Sequence, residues 1–344
     1  MKQKKLNVLI RTSGGTHTKE ELGFGHIYRC VNLATALEYH NIFFLLEDFG
    51  GAKKILNDSG YHRIIPFKKN RDRNSELKKT VSCIKKNKID ILIIDRYNIS
   101  KRYVSRMRRY ITTILISDLL NLDYDVDLLI NGFIGLKNQI KKNQYGSKCL
   151  FGPKYQILDK RFAKPQPQSK KKFKLLITFG GFDKNNIIKI ILRLLKATLP
   201  IKTKIILGPG TPITNEIKFL SRKSRYLHIK QKTRDMRKEI LDAEFGICSG
   251  GITTYEFAAL KVPFAIVCQA KHQLITAKKW QEKRVAINLG FANKNIEKKL
   301  ERILLKISKD TEIRLRKIVV DGHGSQRVAK EIIKLSKNTA LKAK

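Results

Sequence analysis

Short apolar runs rich in Val and Ile alternate along the chain with stretches whose apolar positions recur every three or four residues. The runs 6-LNVLI-10, 42-IFFLL-46, 89-IDILIID-95 and 112-TTILISD-118 predict strands in the first half. In the second half the runs are 174-KLLITF-179, 203-TKIILG-208, 245-FGICS-249 and 263-PFAIVC-268. Each is apolar on both faces and bounded by Gly, Asp or Pro, as buried parallel strands are. Between them, Ile27, Cys30, Val31, Ala34 and Leu37 carry the spacing of a core-facing helical stripe, and Ile187, Ile190, Ile191, Leu194 and Leu195 repeat it. Alternating strands and helices predict an α/β fold of open, mostly parallel, doubly wound sheets.

The pattern breaks at 164-KPQPQSKKK-172, a poor core and a good linker. Residues 1–163 are therefore expected to form one Rossmann-like domain and residues 173–330 a second, with a basic tail over 331–344. Ligands of such sheets bind outside the carboxyl ends of the strands. A site in a cleft between the two domains is the expectation.

Three glycine-rich turns fall at strand ends. They are 13-SGG-15 with 23-GFGH-26, 180-GGFD-183 and 249-SGGITTYE-256. Glycine lets a ligand approach the backbone closely, and amides at a strand-to-helix turn hold anions. Two pairs in the second half point to a phosphate or diphosphate. Neither a G-x-x-x-x-G-K-[ST] loop nor a clean G-x-G-x-x-G with its distal acid is present, which argues against ATP hydrolysis and NAD.

Charge changes the picture of the surface. The chain of 344 residues carries 72 Lys and Arg against 29 Asp and Glu, a formal +43. The lysines are spread along the whole chain, without interleaved aromatics or a nucleic-acid-binding motif. A generic solvated lysine surface is the simplest reading, with peripheral contact to an anionic membrane as the alternative and no nucleic acid expected. No apolar run is long enough to span a bilayer, and the apolar piece after the basic start meets Arg11 too soon for a secretory signal; a cytoplasmic protein is expected. Five scattered cysteines form no CxxC pair and read as small buried apolar residues.

Among candidate chemical groups, His26 directly follows the glycine turn. At a helix start the dipole disfavours imidazolium, so His26 reads as a neutral general base or as a packing residue. Glu256 either accepts hydrogen bonds from a ribose diol or stabilises a helix dipole. Arg11 and Arg29 either neutralise phosphate or pair with an Asp. His272 is a further ligand candidate, His17 reads as surface loop, and Trp280 and Phe257 read as core.

The chain resembles the PseG-type UDP-sugar hydrolases and the spore-coat polysaccharide proteins, which share the GT-B fold with MurG-type transferases. The resemblance runs through 8-VLIRTSGG-15, 23-GFGHIYRC-30, 94-IDRY-97, 117-SDLLNLDYDVDLLIN-131, 151-FGPKYQIL-158, 177-ITFGGFD-183, 246-GICSGGITTYEFAALKVPFAIV-267 and 321-DGHGSQRV-328. It implies His26 at the reaction centre with Tyr97 lining the same pocket. It implies that Gly180, Gly181, Gly250 and Gly251 hold the UDP diphosphate, with Glu256 on the ribose and Gln273 in the loop that faces the sugar; Arg11, Gly23, Gly25, Ser249, Thr253 and His272 stand beside them as further candidate substrate- or UDP-binding residues. It implies hydrolysis of a UDP-linked 2,4-diacetamido-2,4,6-trideoxyhexose with no cofactor and no metal. The chain departs from the family at 16-THTKEEL-22, longer than usual, at Ser117 in place of Asp and at His272 in place of Asn. A GT-B glycosyltransferase using a UDP-sugar is the second expectation, and a non-catalytic polyanion-binding protein a third.

Overall fold

The computed structural model describes residues 4–342 apart from 17–22, 69–74, 119, 138, 166–169, 199, 312, 314 and 317–319. The THTKEEL insertion beyond Thr16, with His17, and the middle of the expected linker lie outside the described residues. The chain divides into two compact units, Met1–Lys160 with Gly322–Lys344, and Arg161–Asp321.

The first unit runs β1 (Asn7–Gly15), α1 (Gly25–Ala36), β2 (Asn41–Phe49), α2 (Ala52–Asp58), β3 (Ile64–Pro66), α3 (Ser75–Lys86), β4 (Ile91–Asp95), α4 (Lys101–Arg108), β5 (Thr112–Ile116), β6 (Leu128–Asn131) and β7 (Lys148–Phe151). These strands form one sheet in the order β3-β2-β1-β4-β5-β6-β7. Every neighbouring pair is parallel. Successive residues of β1 feed opposite faces. Val8 and Ile10 join Ile27, Leu33, Phe44 and Ile93 on one side. Leu9 joins Leu45, Leu92, Val104 and Met107 on the other. Burial on both faces is why these strands read as unbroken apolar runs.

The second unit runs β8 (Phe173–Thr178), α5 (Ile187–Thr198), β9 (Thr203–Leu207), α6 (Asn215–Lys223), β10 (Leu227–Gln231), α7 (Met236–Leu241), β11 (Ala243–Cys248), α8 (Thr253–Ala259), β12 (Phe264–Cys268), α9 (Gln273–Glu282), β13 (Ala286–Phe291) and α10 (Ile296–Ser308). Its sheet has the order β10-β9-β8-β11-β12-β13, again parallel throughout.

The expected domain limits are corrected at the C-terminal end. Residues 322–330 leave the second domain, and 331–342 are no separate tail. They continue α11 (Gly324–Lys342), which belongs to the first unit. The cause is apolar: Val328, Ala329 and Ile332 are buried in the core that holds Ile27 and Leu33. Gly324 allows the docking, since a Cβ there would stand 2.0 Å from the carbonyl oxygen of Gln156. The Ser325 hydroxyl donates to the carbonyl of Leu158. Among the described residues no helix is long and apolar enough to cross a membrane. All five cysteines are free and buried.

Candidate active site

In a doubly wound sheet the crevice opens where the strand order reverses. In the first unit that point lies between β1 and β4. The carboxyl end of β1 is Gly14-Gly15, and that of β4 is Asp95. The glycines there have distinct jobs. A Cβ on Gly14 would come within 2.6 Å of the Ile27 side chain and 3.0 Å of the Gly23 carbonyl oxygen, so Gly14 lets α1 start against the strand. Gly23 has φ +47° and closes the turn by accepting from the Gly15 amide at 3.0 Å. Gly25 has open space where its Cβ would be.

His26 is the second residue of α1. Its Nδ1 stands 2.7 Å from Asp95 Oδ1, and its side chain is 13 % exposed. Asp95 is fully buried. Arg29, one turn further along α1, binds Asp95 with two nitrogens, Nε to Oδ2 at 2.7 Å and Nη2 to Oδ1 at 2.6 Å. Its Nη1 reaches Asp118 Oδ1 at 2.6 Å. The thiol of Cys30 also points at Asp95 Oδ2, 3.5 Å away. The helical spacing of His26, Arg29 and Cys30 puts all three on the face that meets the end of β4.

Burial pushes the Asp95 carboxyl up, but Arg29 and His26 outweigh it and hold the group well below the usual carboxylate range. Asp118 is lowered too, Arg29 outweighing the partial loss of water around its half-exposed carboxylate. Burial and the Asp95 charge together push the Cys30 thiol far up, so this sulfur is no nucleophile. For Asp95 the sign follows directly. A carboxyl depressed by folding contributes stability above its unfolded value of about 4, and the contribution is lost as pH falls below that. The stability gap between wild type and Asp95→Asn is therefore expected to be widest near neutrality and to narrow steadily below about pH 4. Urea unfolding across that range measures it, and a pH-independent gap would contradict the assignment.

The other expected residues of this unit fare differently. Tyr97 lies in the turn after β4, 41 % exposed, and its hydroxyl has no hydrogen-bond partner among the described residues. Arg11 is corrected. It is fully buried, donating to Glu76 Oε1 at 3.1 Å, Glu47 Oε2 at 3.1 Å and the carbonyl of Thr12 at 2.8 Å. Its guanidinium lies 4.2 Å from the Phe67 ring centre. A side chain enclosed in this way binds no phosphate. Arg29 likewise pairs with aspartates.

In the second unit the strand order reverses between β8 and β11. The two expected glycine pairs follow those strands directly. Gly180 has φ +71°, and the loop it opens packs on Gly208, where a Cβ would stand 1.9 Å from the Gly180 carbonyl oxygen. The amides at the start of α5 already have an anion. Asp183 accepts from Ile187 N at 3.0 Å and Ile188 N at 2.7 Å. The dipole of α5 is thus satisfied within the chain, and a phosphate at Gly180-Gly181 would meet loop amides alone.

The loop after β11 is held from three sides. Ser249 is buried and donates to the carbonyl of Phe179 at 3.5 Å. Gln273, the first residue of α9, accepts through Oε1 from Gln269 N at 2.9 Å and Gly250 N at 3.4 Å. The Thr254 hydroxyl donates to the carbonyl of Gly251 at 2.8 Å and accepts from the indole of Trp280 at 3.0 Å. Trp280 is core, as expected, and Phe257 with it. Gly251 has open space where a Cβ would go. Thr253 is buried at the first position of α8. Glu256 is half-buried one turn into α8, and its charge adds to burial in pushing the Cys248 thiol up. His272 is exposed and does not cap α9 with its side chain. Gln273 thus braces the glycine loop through its carbonyl oxygen.

Sequence reasoning missed Asp95, Asp118, Asp183 and Thr254. Asp95 carried a readable signal, an acid closing an otherwise apolar strand run. Asp118 and Thr254 carried none, because their partners are 89 and 26 residues away.

No protein-family model matches the chain. It is 29 % identical over 289 residues to an uncharacterised protein of Methanocaldococcus jannaschii, covering 78 % of this chain and 57 % of that protein. The chain thus spans little more than half the length of that relative. It is 25 % identical over 326 residues to the spore coat polysaccharide biosynthesis protein SpsG of Bacillus subtilis, over 90 % of this chain and 93 % of that one. It is 24 % identical over 280 residues to a UDP-2,4-diacetamido-2,4,6-trideoxy-beta-L-altropyranose hydrolase of Campylobacter jejuni, over 79 % and 95 %. Among solved structures, Acinetobacter baumannii MurG superposes with TM-score 0.59 at 15 % identity, over 96 % of this chain and 99 % of that one. A UDP co-structure of Staphylococcus aureus MnaA superposes with TM-score 0.61 at 9 % identity, over 95 % and 96 %. The two parallel sheets and these matches agree with the motifs read from the sequence: the chain is a relative of the SpsG-like and PseG-type proteins, built on the GT-B fold that MurG also has.

Proposed function

We propose that the chain hydrolyses a UDP-linked 2,4-diacetamido-2,4,6-trideoxyhexose to the free sugar and UDP, in the synthesis of a nonulosonic acid or a surface polysaccharide. The observation that carries this reading is His26 Nδ1 at 2.7 Å from the buried Asp95 carboxylate. A ring whose Nδ1–H is held by a carboxylate presents an unprotonated Nε2 that can take a proton from water. Water oxygen bonds to the anomeric carbon, the bond from that carbon to the diphosphate oxygen breaks, and UDP leaves with the electron pair. His26 Nε2 receives the proton. The second unit supplies the nucleotide site, with the braced Gly250-Gly251 loop approaching the diphosphate and Glu256 the ribose. The name of the Campylobacter relative and the UDP bound to the MnaA neighbour support this choice of substrate.

The test is UDP release from such a sugar nucleotide with no acceptor present. Release that appears only on adding a glycan or lipid acceptor would replace hydrolysis by glycosyl transfer.

Gly251 provides a separate check on the nucleotide site. No atom lies within 4 Å of a Cβ built on it, so Gly251→Ala should leave the melting temperature unchanged. If the glycine is there for the diphosphate, the added methyl weakens UDP binding about tenfold or more, roughly 1.4 kcal/mol. Calorimetric titration with UDP reads the difference, and unaltered affinity would remove Gly251 from the site.

A further inference from the structure

We propose that Asp95, itself held by Arg29, is the positioning residue that fixes the ring tautomer of His26 and so selects Nε2 as the proton-accepting atom. The assignment rests on the reading of His26 as the general base.

The argument is one of donors and acceptors. Two groups face His26 Nδ1, Asp95 Oδ1 at 2.7 Å and Arg29 Nη2 at 3.1 Å. An ionised carboxylate only accepts and a guanidinium only donates, so they demand opposite protonation of Nδ1. The carboxylate is nearer. Arg29 Nη2 already has two acceptors, Asp95 Oδ1 at 2.6 Å and Asp118 Oδ2 at 3.1 Å, and needs none from the ring. Nδ1 therefore carries the proton.

The carboxylate cannot turn away. Asp95 is fully buried, and its second oxygen is fixed by Arg29 Nε at 2.7 Å. Arg29 is anchored in turn by Asp118, whose side chain is 50 % exposed. The order of rigidity thus runs from the solvent-facing Asp118 through Arg29 to Asp95 and the ring. With His26 neutral, the four side chains carry one positive and two negative charges.

Selective 15N-histidine labelling reads the tautomer at neutral pH, with the His26 signals assigned by their loss in His26→Gln. Wild type is expected to show the proton on Nδ1; a proton on Nε2 overturns the proposal without any variant having to fold. In Asp95→Asn the amide oxygen keeps Arg29 Nε, and the NH2 group takes the place of Oδ1, facing Nδ1 and leaving Arg29 Nη2 to Asp118. The proton should then move to Nε2, and the turnover number should fall by a factor on the order of 10⁴ with little change in KM. Retention of the Nδ1 proton, or of full turnover, in folded Asp95→Asn overturns it. Asp118→Asn weakens the anchor but leaves Asp95 in place, so the tautomer should persist and turnover should fall less than about tenfold; a tautomer change here would show that Asp95 does not decide it. Full UDP release by His26→Ala would instead remove the reading of His26 as base, and the tautomer measurement would still judge Asp95 alone.

Discussion

Replacing His26 by alanine is expected to lower the rate of UDP release by about 10² to 10⁴, the usual contribution of a positioned general base. The loss should fall on the turnover number, because in the proposed mechanism the ring acts on the attacking water and the residues proposed to hold the nucleotide lie elsewhere in the chain. UDP affinity should be unchanged. Stability should fall by about 1–3 kcal/mol, since the buried Asp95 carboxylate loses one donor while the core contacts of α1 through Ile27, Cys30 and Leu33 remain. Equal rates for variant and wild type would end the hydrolytic assignment of this ring, and the glycosyltransferase reading would then have to find its base elsewhere.

Arg11→Ala is expected to act on stability and leave UDP binding alone. The guanidinium is fully buried between Glu47 and Glu76, with Arg96 bridging the same two carboxylates at 3.3 and 2.6 Å. Removing one cation leaves two carboxylates with one arginine between them, out of water. Breaking such a buried network costs about 3–5 kcal/mol, mainly because the remaining charge has no compensation. At about 2–4 °C per kcal/mol, the melting temperature should drop by roughly 10 °C. Replacing Arg11, Glu47, Glu76 and Arg96 together by apolar residues of similar volume should recover much of the loss, as buried ion pairs often contribute little beyond their own desolvation. Thermal and urea unfolding measure both variants. An Arg11→Ala protein of normal stability with weakened UDP binding would restore Arg11 to the nucleotide site from which its burial removes it.

The contrast between Arg11 and His26 shows where reading the sequence succeeds. All eight strand runs read from the sequence are strands, because burial on both faces demands unbroken apolar residues and leaves a local trace. The strands that escaped notice are β3, β6, β7, β10 and β13. Four of these, β3, β7, β10 and β13, are the edge strands of the two sheets. An edge strand needs less apolar sequence, as 227-LHIKQ-231 illustrates with its alternating exposure. β6 is four residues long and too short to register. The glycine turns were legible as strand-to-helix turns, and Gly14 and Gly23 owe their identity to packing and to a left-handed φ.

By itself the sequence determined the α/β class, the two βα series, the placing of glycine loops at strand ends and the ring that follows the first of them. These are consequences of periodicity and of backbone geometry, which act over a few residues. Tertiary structure alone decided which charges meet. Arg11 and Arg29 are alike in sequence, each flanking the first glycine turns. One points from a strand into a core lined by Glu47 and Glu76, and the other points from a helix onto Asp95 and Asp118. The same holds for α11, whose three buried apolar residues return the chain to a core begun more than 290 residues earlier. Pairings of that range depend on strand order, and strand order is set by the packing of whole elements.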